Sequence, residues 1–149
     1  MKNKKNYINV YYKVEGNDFV HAGVASSSIK TILKQNNFED VDIRRAAISI
    51  YEAEMNLVIH AGGGEIEMEL DGDKLKVILS DSGPGINDIQ LAMREGHSTA
   101  SEIARQMGFG AGMGLPNIKK HSDSFEINSI VGVGTKLVIE ISLCRKKQI

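Results

Sequence analysis

Two glycine-bearing stretches frame the chemistry this chain can do: "DSGPGI", Asp81 to Ile86, and "GFGAGMGL", Gly108 to Leu115. In the first, Asp81 closes an apolar run, where a carboxylate needs a partner or water. Asp, Ser, Gly and Pro all favour turns, so a strand-ending turn accounts for the composition. A second account gives Asp81 a hydrogen-bond donor on a flat ligand, with Gly83 and Gly85 letting that ligand approach the backbone. In the second stretch Gly108, Gly110, Gly112 and Gly114 alternate, which weakens helix and strand alike. The run leads into "LPNIKK", a helix start that offers free N–H groups and positive dipole to an anion, a phosphate chain being the obvious one. It is neither a Walker A loop, lacking Gly-Lys-Ser/Thr, nor a dinucleotide fingerprint after a first strand.

A third constellation precedes these. Glu52, Asn56 and His60 recur at every fourth position of "YEAEMNLVIHA". On a helix each such step advances about 40°, so the three make one polar ridge, with Arg45 and Ser49 along the same side. A polar ridge is also what the wet face of any amphipathic helix presents. Met55 and Ile59 flank it, however, and apolar shoulders suit the wall of a cleft.

The elements that must position these residues follow from periodicity. "YINVYYKV" (7–14) reads as a first strand, and a helix from Asp18 to about Asn36 follows, with Asn17 or Asp18 as its cap. A second helix spans about Val41 to His60, with Ile43, Ala47, Ile50, Tyr51, Leu57 and Val58 on one face and Gly62 to Gly64 stopping it. "EIEMEL" and "KLKVILS" form a hairpin around "DGD". A short helix starts at Pro116, and "SFEINSI" and "GTKLVIEISL" form a second hairpin. The order β-α-α-β-β-loop-α-β-β predicts an α+β fold: a two-layer sandwich with a mixed, mostly antiparallel sheet and helices on one face.

Composition limits the alternatives. The 149 residues suit one domain (1–149), with 42% hydrophobic and 25% charged residues. A net charge of −1 gives no field to attract nucleic acid or an anionic membrane. No apolar run nears the roughly 18 residues needed to span a bilayer. Cys144 is the only cysteine, which excludes an internal disulfide and fits a reducing compartment. A cytoplasmic protein is the expectation.

In this chain order the motifs resemble those of the GHKL ATPase superfamily, with its Bergerat, histidine-kinase-like ATPase fold. "YEAEMNLVIHA" looks like its N-box, "DSGPGI" its G1 box, "GFGAGMGLPNIKK" its G2 box and "VGVGTKLVIEI" its closing Gly-Thr element. Among its members the small bacterial anti-sigma factors and switch-type serine kinases are the most similar, "AMREGHSTA" resembling the lid entry of the latter. The resemblance implies ATP and Mg²⁺ as cofactors. It assigns the general base to Glu52 and the Mg²⁺ ligand to Asn56, a role suited to a hard cation that prefers oxygen. Glu54 is a second acid nearby, but its angle sets it about 160° from Glu52, in the apolar stripe. The resemblance further assigns the adenine contact to Asp81 and a water-borne adenine contact to Thr135. The loops around the nucleotide would be Gly83, Gly85 and Ile86, then Gly110, Ala111, Gly112, Met113, Gly114 and Leu115. His60 receives no chemical role.

The implied activity is a serine/threonine protein kinase that phosphorylates a small antagonist protein of STAS type. The alternative is an anti-sigma factor that sequesters a sigma factor, with nucleotide ordering its lid. Related anti-sigma factors form homodimers, but no stripe in this sequence demands one. Two departures stand out: Leu57 follows Asn56 where the family usually has alanine, and "SEIARQM" lengthens the segment before the glycine run.

Overall fold

The computed structural model describes residues 7–86, Ile89, Met93 and 114–147. The described elements run β1 (Tyr7–Glu15), α1 (Val24–Gln35), α2 (Asp40–Ile59), β2 (Gly63–Asp71), β3 (Lys74–Ser80), α3 (Gly114–His121), β4 (Ser124–Ile130) and β5 (Gly134–Ser142). The strands form one sheet in the order β1-β2-β3-β5-β4, and every ladder among the described residues is antiparallel.

Alternation in the strands becomes rows across the sheet. Val10, Met68, Val77, Ile139 and Phe125 lie side by side in register, and Tyr12, Ile66, Leu79, Leu137 and Ile127 form a parallel row. This face packs under α2, whose Ile43, Ala46, Ile50, Ala53 and Leu57 are buried. α1 adds Ile29 and Leu33 on one flank of α2, and α3 adds Ile118 on the other. The opposite face is polar: Asn9 and the Tyr11 hydroxyl both donate to Glu67. The architecture is the α+β two-layer sandwich expected from the element order. No described helix is long and apolar enough to cross a membrane.

Two local expectations are corrected. α1 begins at Val24 and not at Asp18. Asp18 spends its carboxylate on a turn, accepting from the backbone N–H of His21 at 3.2 Å and lying 2.8 Å from its Nδ1. Asn17 and Gly23 both have positive φ, 57° and 95°, so neither continues a right-handed helix. Tyr51, placed on the apolar face by spacing, is 38% exposed. Its ring instead covers Gly23, where a Cβ would stand 3.3 Å from Tyr51 Cε2.

Candidate active site

α2 carries two carboxylates with opposite fates. Glu54 is buried beneath α1, its Oε2 accepting from the N–H of Gly23 at 3.0 Å and of Ala25 at 3.3 Å, its Oε1 from Ser26 at 2.9 Å. Gly23 has no side chain to cap α1, so Glu54 supplies the cap from another helix. The sequence placed Glu54 away from the ridge but gave no hint of this task.

Glu52, on the ridge, is half-buried at the start of α3. Its Oε2 and the Oδ1 of Asn56 each lie 3.5 Å from where a Cβ at Gly114 would stand, so α3 opens directly over both side chains. A side chain at Gly114 would therefore sit between α3 and this pair. Asn117 Nδ2 donates to Glu52 Oε1 at 3.4 Å. Burial raises the Glu52 pKa above the ordinary glutamate value, opposed by the Asn117 hydrogen bond and the nearby His121 charge. Burial likewise lowers the pKa of His60, which ends α2 with its N–H on Asn56 O at 3.0 Å.

Asp81 follows β3, and its backbone N–H donates to Thr135 O at 3.0 Å. Its Oδ1 accepts from the N–H of Gly83 at 2.9 Å and of Thr135 at 3.2 Å. Oδ2 accepts nothing from the described residues, which leaves one carboxylate oxygen for an external donor. Thr135 Oγ1 lies 2.8 Å from Ser129 Oγ, which also accepts from the Ile86 N–H at 2.7 Å. Ser129 thus ties the loop after β3 to the Gly-Thr element.

The glycines after Asp81 serve packing. A Cβ at Gly83 would come within 2.7 Å of Ala61 O, and one at Gly85, where φ is 79°, within 2.7 Å of Ile130 O. Both admit the protein's own backbone, as a tight turn requires. Leu115 packs its side chain in the core, 8% exposed, so only its backbone can face a ligand. Gly108, Gly110, Ala111, Gly112 and Met113 lie outside the described residues, as does the "GHSTA" segment.

The strand-end acid and the α3 start are brought to one helix. Gly83 abuts Ala61 just past α2, Gly64 sits between Leu57 and Asp81, and Gly114 abuts Glu52 and Asn56. Residues 41–145 match the family described as Histidine kinase-, DNA gyrase B-, and HSP90-like ATPase. The chain belongs to that family.

Serine/threonine-protein kinase RsbT of Bacillus subtilis (strain 168) is 37% identical over 112 residues, covering 72% of this chain and 78% of that protein. An anti-sigma F factor of Clostridium beijerinckii is 29% identical over 146 residues, covering 94% of this chain and 95% of that one. The fold matches that of the mycobacterial sensor histidine kinase MprB with a TM-score of 0.52 at 13% identity, over 93% of this chain and 100% of that chain. This chain thus shares its ATPase family with a protein named as a serine/threonine kinase and with proteins named as anti-sigma factors.

Asn117 and Ser129 are the residues sequence reasoning missed. Asn117 lies one turn into α3 from Gly114 and so shares its face, a spacing that was readable. Ser129 alternates out of a strand with nothing to distinguish it.

Proposed function

We propose that this chain transfers the γ-phosphoryl group of Mg-ATP to a serine or threonine of a small antagonist protein of STAS type, with Glu52 as the base. The observation that carries the reading is the meeting of Glu52 and Asn56 at the start of α3. A half-buried carboxylate whose affinity for protons is raised by burial is suited to take one from an alcohol near neutral pH. Asn117 holds one carboxylate oxygen and leaves the other toward the α3 start.

Asp81 would receive the adenine amino group on Oδ2, its Oδ1 being held by two backbone donors. Thr135, fixed by Ser129, would support the same ring through a water. Among the described residues no group of three or more His, Cys, Asp or Glu can hold a metal. The donors fit Mg²⁺ bound through the Asn56 amide oxygen, with phosphate and water completing the shell. When bound, the ion would neutralise phosphate charge. Residues Gly110, Ala111, Gly112 and Met113 would contribute backbone around the phosphates, together with the backbone of Gly114 and Leu115.

The test is transfer of label from γ-labelled ATP to purified STAS-type proteins by the wild type and Glu52→Gln. Loss of a general base lowers phosphotransfer by about 10²–10⁴-fold while nucleotide binding persists. Equal transfer by the variant removes Glu52 from the chemistry. Sequestration of a sigma factor is the second reading, supported by the anti-sigma F relatives. It would survive Glu52→Gln unchanged.

A further inference from the structure

An open groove of about 770 Å³ runs between α1 and α2. One end is marked by Lys34, at the end of α1, and the start of α2. The other end is closed by Tyr51 lying over Gly23, and there the lining reaches Glu52. The groove therefore leads to the carboxylate assigned as the base.

Its walls carry an unbalanced charge. Lys30 and Lys34 stand one turn apart on α1, Arg44 faces them from α2, and all three are exposed. None of the three forms an ion pair among the described residues. The acid at the far end, Asp40, is already paired with Lys146 at 3.3 Å. Between the cations the floor is apolar, with Ile48 half-buried. Unpaired cations over an apolar floor suit a partner that brings carboxylates and a few apolar side chains.

We propose that this groove docks an acidic segment of the phosphoacceptor protein and so delivers its serine or threonine hydroxyl to Glu52. The docking rests on the kinase reading, because it takes its direction from Glu52. In the transfer the hydroxyl oxygen bonds to the γ-phosphorus and the bond from phosphorus to the bridging oxygen breaks. ADP leaves with that electron pair, and the hydroxyl proton passes to the Glu52 carboxylate. Lys30, Lys34 and Arg44 touch none of the reacting atoms. They fix which segments reach the base, so they act on the acceptor's KM and leave nucleotide affinity alone.

The experiment uses the full chain and two short fluorescent peptides, one with glutamates around a single serine and one with lysines. Anisotropy is expected to show the acidic peptide binding, the basic one not, and the affinity falling as salt rises. The variant Lys30→Glu/Lys34→Glu/Arg44→Glu is expected to bind the acidic peptide about tenfold or more weakly, since three exposed pairs are lost, with its ATP affinity unchanged. No binding of the acidic peptide, equal binding of both, or equal binding by the variant overturns the proposal. So does sedimentation showing a wild-type dimer that the variant turns into monomer, because the groove then belongs to a second copy. Binding as expected with no label passing from Mg-ATP to the bound serine retains the docking surface and removes the kinase reading, so the two fail separately.

Discussion

Glu52 gives up solvent to stand under α3, and its protonation records the exchange. Burial outweighs the Asn117 hydrogen bond and the His121 charge, leaving its pKa raised. As the proposed base, Glu52 works only when deprotonated, so turnover should climb with pH through that raised value. The folded state also holds the Glu52 proton more tightly than the unfolded chain. This contribution to stability is therefore full below the unfolded carboxylate's pKa and is lost as pH rises through the folded value. Glu52→Gln cannot ionise and escapes the loss. Its Tm should equal or exceed the wild type's at about pH 8, the gap narrowing toward about pH 4; a gap independent of pH would contradict this. In the proposed nucleotide pocket, Asp81→Asn keeps an oxygen for Gly83 and Thr135 but would place a second donor before the adenine amino group. Calorimetry should show ATP binding weakened about 10- to 100-fold, whereas Asn56→Ala should abolish the gain in affinity from Mg²⁺ and keep metal-free binding. The nearness of Glu52 to Asn56 was legible from their spacing on one helix, and the place of Asp81 from the turn residues that end a strand. Asn117 and Ser129 act through contacts between elements, which no local pattern records.

Among the elements, α1 shows how far a local rule can be overruled. Asp18 is a good capping residue by type, yet His21 occupies it, and the helix starts six residues later. The carboxylate that caps α1 comes from α2, 31 residues from Gly23. Replacing Glu54 with Ala would strand three backbone donors at a buried helix end. A cost of about 3 kcal/mol is expected in urea unfolding, and a loss below about 1 kcal/mol would mean that water replaces the cap. Strands and hairpin turns were legible because alternation and turn residues are local signals. The start of α1 was not, because its cap is set by packing.

For the whole molecule, Arg45 is the tie that closes the α3 side. It donates to Asp42 at 3.1 Å, to Asp123 at 2.7 Å and to His121 O at 3.3 Å. Asp42 in turn receives the Cys144 N–H, and Asp123 the Ser142 N–H, so the end of β5 joins the same network. Arg45→Ala should cost about 1–2 kcal/mol and speed amide exchange at Ile118 to Ser122 more than at Ile66 to Leu70. Uniform acceleration across both segments would mean that the tie is global and not a latch on α3. The order β1-β2-β3-β5-β4 is a property at this scale. The two hairpins could be read from their turns, but the β1–β2 and β3–β5 pairings join distant segments whose alternation would fit several neighbours.

One further consequence lies in the two acids of α2. Glu52 and Glu54 stand two positions apart and look in opposite directions, one toward the start of α3 and one holding a neighbouring helix in place. Adding or removing a single codon between them would rotate one against the other by about 100°, so the cap of α1 and the place of Glu52 under α3 could not both be kept. An insertion or deletion between them is therefore expected to do more harm than any substitution there.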